Sequence, residues 1–254
     1  MGSRRVSRHS RRGYPVAVLV DVGDQMAVIW IVYSESLKMY RAVHRDVDPD
    51  SDTRGSYYNF YGSIVSALKP VFASGVSTTI VTGPTDGLGY AEAFVGHVRG
   101  HHKYLLKSVQ ISVVRGGAGD SRAARALVDS RDFESAVKGA VDTESGMINA
   151  LLGARLYDET GRFGVLYTLD EIEECLTKHF RAGRNFTEIP EHIFVTSTFW
   201  TSHRTSSRFR RIIDLANSHS VKTRVVEEDT DAGVRISQLG GIVCVTTRRV
   251  ALDN

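Results

Sequence analysis

The stretch Ser77–Gly96, STTIVTGPTDGLGYAEAFVG, decides how the chain is read. Thr79–Thr82 is a short β-branched run and reads as a buried strand. Gly83–Gly89 is a glycine-rich turn, and a helix follows from about Tyr90. A strand, a glycine turn and a helix N-terminus together make a cradle for phosphates. The neighbouring sequence decides whether this turn is such a cradle.

Upstream, Val16–Val22 and Met26–Tyr33 are apolar, β-branched runs separated by Gly23-Asp24. Two such runs around a turn signal predict a hairpin. Leu37–Val47 reads as a third strand. Asp46–Gly55, DVDPDSDTRG, is a polar loop. It lacks the glycine and the distant glutamate of a calcium loop, and Pro49 interrupts it. Tyr57–Phe72 places Tyr57, Phe60, Tyr61, Ile64, Val65 and Leu68 at helical spacing, one apolar face that reads as core packing. Pro70 bends or ends that helix. Three strands and a helix thus precede the glycine turn.

That order weakens a cofactor reading. Thr82-Gly83-x-x-x-Gly87-x-Gly89 resembles the fingerprint of NADP-binding short-chain dehydrogenases, but their fingerprint follows the first strand. Their chemistry also needs Tyr-x-x-x-Lys, in which the lysine lowers the tyrosine pKa. No tyrosine here has a lysine four residues on, and Tyr104 has Lys107 at three. Gly-x-Ser-x-Gly, the Gly-Lys-Ser/Thr phosphate loop, His-Glu-x-x-His and Cys-x-x-Cys are absent as well. No catalytic residue, metal ligand or cofactor is assigned. An RNA endonuclease using the aspartates of 46–52 remains as a weaker enzymatic alternative.

Downstream, Arg99–Lys107 is basic. His101 and His102 are adjacent and point apart, which argues against a shared metal. Val109–Val114 is a strand. The glycines at 116, 117 and 119 break the chain, and Asp120 or Ser121 caps a helix over 122–128. Phe133–Tyr157 is helical by periodicity. Phe163–Leu166 is short and apolar. Thr168-Leu-Asp-Glu171 is a capping box. It opens a helix to about Phe180, followed by a strand at 193–196, a helix at 205–217, a strand at 221–226, a turn and short helix over 229–238, and a buried strand at 241–246. The last part is an α/β/α domain of ordinary size.

The bulk properties are those of a globular protein. Its 254 residues are 42% hydrophobic and 24% charged, with a formal net charge of +3. That charge is a tail. Arg4, Arg5, Arg8, Arg11 and Arg12 fall within the first thirteen residues, and the remainder is −2. The arm reads as a disordered, basic segment, with polyanion binding or mitochondrial targeting as its functional alternatives. No run approaches the ~20 apolar residues of a membrane span. The two cysteines, Cys175 and Cys244, fit a reducing compartment.

Taken together these stretches resemble one family. VAVLVDVGDQMAVIWIVYSESLKMYRAVHRDV, then NFYGSIVSALKPVF and TTIVTGP, are similar to the central domain of Pelota, the ribosome-rescue paralogue of eukaryotic and archaeal class 1 release factors. FGVLYTL, HIFVTSTFW, SRFRRIIDLANSHSVKTRVV and Gln238-Leu-Gly-Gly-Ile-Val look like its C-terminal domain, in order. The resemblance runs from about Tyr14 to Val250. It implies an α/β protein of two domains: a release-factor-like central domain with a mixed sheet, then an α/β/α domain of the type seen in kink-turn-binding ribosomal proteins. The expected divisions are an arm over 1–13, a central domain over 14–132, a helical connector over 133–158 and a C-terminal domain over 159–254.

The resemblance also implies a function and partners. Release factors carry Gly-Gly-Gln in the loop that here is Asp46–Gly55. This loop has no such triplet, and Pelota also lacks it, so peptide release is not expected. A non-catalytic factor for rescue of stalled ribosomes and mRNA surveillance is. Implied partners are the ribosome and its rRNA, a translational GTPase and an ABC-type recycling ATPase, with no membrane, a monomer when free and a cytoplasmic location. RNA or ribosome contacts would fall to the arm's arginines, Arg45, Arg54, Arg204, Arg208, Arg210 and Arg211. GTPase docking would fall to Pro84, Thr85, Asp86 and Gly87, although the family's Pro-Gly-Phe is missing there. Full-length family members begin with an Sm-like domain, whereas only the arm precedes Tyr14 here. The alternative function is a structural ribosome component or assembly factor, a mitochondrial one included.

Overall fold

The computed structural model describes residues 13–46, 53–84, 89–182 and 188–248. The chain divides into two compact units, one ending at Ala140 and the other running from Val141, with residues 73–75 grouped with the second.

In the first unit β1 (Pro15–Val22) and β2 (Met26–Tyr33) form the predicted hairpin, closed where Gly23 N–H donates to the Met26 carbonyl at 3.0 Å. β3 (Leu37–His44) pairs antiparallel with β2, while β4 (Thr78–Thr82) and β5 (Gln110–Val113) add in parallel beyond β1. The strand order is β3-β2-β1-β4-β5. The sheet is mixed, as expected, and differs from the all-parallel sheet of a doubly wound dinucleotide-binding fold.

Both faces of this sheet are covered, which explains the unbroken apolar runs in β1 and β4. Val18, Val20 and Ile29 face α1 (Thr53–Ala73) and α2 (Gly89–His101), meeting Ile64, Leu68 and Phe94. Leu19, Trp30 and Ile80 face the other way, toward Leu127 of α3 (Ser121–Val128) and Phe133 at the start of α4 (Arg131–Leu156). Asp120 caps α3, accepting from the amides of Arg122 and Ala123 at 2.8 and 2.9 Å. β3 is one of the two edge strands and is mostly exposed. It carries Lys38 and Arg41, charges that discourage edge-to-edge pairing. The helix α1 starts at Thr53, four residues earlier than periodicity suggested, and continues through Pro70.

The second unit is a three-layer α/β/α domain. β6 (Phe163–Leu166), β7 (Glu188–Thr196), β8 (Lys222–Val226) and β9 (Ile242–Arg248) form a mixed sheet in the order β6-β9-β7-β8. Ile193, Val195 and Cys244 pack against α5 (Leu169–Ala182) and α7 (Ser207–Ser218) through Leu176, Phe209 and Ile212. Phe194, Val243 and Val245 face the opposite layer, where Ile148 and Leu152 of α4 meet Ile236 of α8 (Asp231–Gln238). The helix α4 therefore serves both units, its first turns in one core and its last turns in the other. Between β7 and α7 lies α6 (Ser197–His203), which the sequence did not announce. Gly241, at φ +87°, lets β9 start beneath it, because a Cβ there would sit 2.8 Å from the Phe199 ring. No helix among the described residues is long and apolar enough to cross a membrane.

Candidate functional site

An open groove lies between α1 and α2 of the first unit. It has a volume of about 830 Å³ and is walled by Tyr57, Tyr58, Tyr61, Tyr90, His97 and His101, with Pro84 and Gly89 at one end. Tyr61 is core, with its ring 5.8 Å from that of Phe94. Tyr57 stacks on Tyr90 at 6.2 Å. Tyr58 stands outside the apolar stripe and is 53% exposed. Its ring edge meets His97 at 5.0 Å and His101 at 5.1 Å.

The histidines at the floor are electrostatically distinct. His97 is 8% exposed and its Nε2 has no hydrogen-bond partner among the described residues. Burial, reinforced by neighbouring His101 and His102, lowers its pKa to about 4. His97 is therefore neutral at physiological pH, with one ring nitrogen donating and one accepting. His102 is shifted down for the same main reason, with the Lys69 charge adding to it. The His97 ring lies 4.9 Å from that of His101 and 5.2 Å from that of His102. These are ring contacts. Among the described residues no group of three or more His, Cys, Asp or Glu could hold a metal.

The predicted contact residues are scattered. Arg45 follows β3 and turns inward. It donates to Asp24 at 3.1 Å, lies 4.2 Å over the Tyr57 ring, and keeps a side chain only 9% exposed. Tyr57 donates to the same carboxylate, so Asp24 ties the hairpin turn to α1. Arg54 lies in the first turn of α1, and its side chain is outside the described residues, as are the arginines of the arm. Arg208 and Arg211 project from α7 onto acids of α5. Arg208 Nε reaches Glu173 at 2.7 Å and its terminal nitrogen reaches Asp170, while Arg211 pairs with Glu173. The two arginines hold the Glu173 carboxyl below its ordinary range. Arg210 is exposed and donates to the Thr205 carbonyl at 2.7 Å. Arg204 ends α6 and is half-buried. Pro84 is exposed at the mouth of the groove. Thr85, Asp86 and Gly87 fall outside the described residues.

Asp21 sits in β1 opposite Thr82 of β4. Burial raises its pKa despite a hydrogen bond from the Ala118 amide. Trp30 Nε1 donates to the Ala118 carbonyl at 2.7 Å, so side chains of β1 and β2 together pin the glycine loop before α3. Both cysteines are buried. The Cys175 thiol is pushed up to about 12 by burial and that of Cys244 higher still, which makes neither a thiolate nucleophile at neutral pH.

The groove residues Tyr58, Tyr90 and His97 were not singled out in the sequence. The adjacent pair Tyr57-Tyr58 was the available signal, because two neighbours on a helix cannot both face the core.

No protein-family model and no curated protein matches the chain. Solved structures do. The arrangement of a mixed five-stranded sheet followed by a three-layer α/β/α domain is that of the release-factor-like proteins. More narrowly, the chain has a Pelota-like fold: ribosome-bound archaeal Pelota, from a complex with ABCE1, superposes with a TM-score of 0.52 at 16% identity, over 98% of this chain and 64% of that one. Dom34 of S. cerevisiae is described as a translation termination-like factor involved in RNA quality control pathways and interacting with Hbs1. It gives 0.49 at 16% identity, over 98% and 68% of the two chains. Archaeoglobus fulgidus Pelota gives 0.41 at 19% identity, over 99% and 68%. The chain spans about two thirds of the length of these structures.

Proposed function

We propose that this chain is a non-catalytic ribosome-binding factor of the Pelota type, acting in the rescue and recycling of stalled cytoplasmic ribosomes and in mRNA surveillance. The observation that carries the reading is the Pelota-like fold across nearly the whole chain. The absence of Gly-Gly-Gln after the third strand supports a role without peptide release. In this reading the arm's arginines, with Arg204 and Arg210, contact rRNA. Arg208 and Arg211 contribute less, because Asp170 and Glu173 already neutralise them. The turn from Pro84 to Gly87 is assigned to docking of a translational GTPase, and an ABC-type recycling ATPase is the expected second partner. Co-sedimentation with ribosomes at moderate salt tests the proposal. Retention in the ribosomal pellet is expected, and its absence with and without a GTPase partner would sink it.

A further inference from the structure

We propose that the groove between α1 and α2 binds unpaired RNA, with bases stacking on Tyr58 and the rings beside it. The choice of RNA rests on the ribosome-binding reading above, whereas the groove's chemistry stands on its own geometry. Three observations carry it.

The first is aromatic surface left open. Tyr58 keeps half its area in solvent, beside the Tyr57–Tyr90 stack and the His97–His101 pair. An exposed ring beside other rings is a stacking platform for unpaired bases.

The second is charge. Among the described residues no carboxylate lines the groove. Downstream of the aspartates at 46, 48, 50 and 52, the acids between residues 53 and 119 are Asp86 and Glu92, against Arg54, Lys69, Arg99, Lys103, Lys107 and Arg115. Lys69, Arg99, Lys103 and Lys107 are exposed. The groove's described lining is uncharged apart from its histidines, and the exposed cations of α1, α2 and the segment after α2 favour a polyanion over a cationic ligand.

The third is an unmet hydrogen bond. His97 is more than nine-tenths buried, lines the groove and has an Nε2 with no partner among the described residues. A buried polar nitrogen without a partner is costly. Held neutral, as the depressed pKa requires, it can donate to or accept from a base edge or a ribose 2′-hydroxyl.

The test uses the full chain and a short, labelled oligo(U) RNA, with fluorescence anisotropy at one fixed salt concentration. Tyr58 is exposed, so Tyr58→Ala is expected to leave the thermal melt unchanged. It should weaken oligo(U) binding about tenfold. Tyr58→Phe keeps the ring and should restore most of the affinity. Lys69→Glu should weaken binding and lower its salt dependence. Equal affinity of wild type and Tyr58→Ala overturns the proposal, because the arm then accounts for all RNA binding. So does an absence of oligo(U) binding by the wild type. Loss of ribosome co-sedimentation by Tyr58→Ala with unchanged oligo(U) binding also overturns it, and marks the groove as a protein-docking surface. A Tyr58-dependent affinity for oligo(U) without ribosome co-sedimentation would uphold the groove and remove the proposed function instead.

Discussion

Arg224 of β8 forks onto Glu144 of α4, its Nε 2.6 Å from one carboxylate oxygen and a terminal nitrogen on the other. The side chains are 10% and 19% exposed. Eighty residues of sequence separate them, so the pair locks the second half of α4 onto its sheet. Arg224→Met leaves a largely buried carboxylate without its counter-charge and should cost about 3 kcal/mol. Urea unfolding of the second unit measures this. The double variant Arg224→Met/Glu144→Leu should recover most of the loss, since both charges are then gone.

The capping box of α5 is reciprocal. Thr168 Oγ1 accepts from the Glu171 amide, and Glu171 accepts from the Thr168 amide, each at 3.2 Å. Thr168→Ala orphans an amide at the helix start and should cost about 1 kcal/mol. A thermal melt reads it as a fall of a few degrees. Thr168→Ser should behave as wild type.

Acid should destabilise the first unit. The His97 pKa falls from 6.5 to about 4 on folding. Between those values the unfolded chain takes up a proton that the folded one refuses, so stability declines as pH falls through that window. Above about 6.5 the histidine is neutral in both states and contributes no slope. His97→Phe should flatten the dependence of the urea midpoint on pH between 6.5 and 4. An unchanged slope would assign it to other groups.

Neither thiol should react in the native protein. Cys175 and Cys244 are buried and their pKa values are raised by that burial. A thiol-specific reagent at neutral pH should label both only after denaturation. Rapid labelling of the folded chain would contradict the packing around α5 and β9.

The architecture was legible because its signals are local. The β-branched runs at 16–22 and 26–33 around Gly23-Asp24, the box at 168–171 and the cap at Asp120 each act within a few residues. Three parts were not. α6 is seven residues long and buries none of them fully, so no apolar period could show. The first half of β7 contains Pro190 and a bulge between Pro190 and His192, and proline within a run argues against a strand. The ion pairs that occupy Arg208 and Arg211 join residues 35 to 38 apart in sequence, a distance at which helical spacing is silent. The stripe on α1 reads correctly as core at Phe60, Tyr61 and Ile64. It says nothing of Tyr58, which the second helix turns into a groove wall.

The strand order of the second unit sets a timetable for its birth. β9 comes last in sequence yet lies between β6 and β7. During translation the first unit has all five of its strands once Val113 has emerged and the whole of its own chain once Ala140 has. In the second, β6 must wait for Ile242–Arg248, its antiparallel neighbour, to leave the exit tunnel. Until then β6 and β7 expose unpaired edges, the state in which chaperones bind and nascent chains aggregate. A premature stop before Ile242 would therefore yield a chain with one finished unit and one that cannot close.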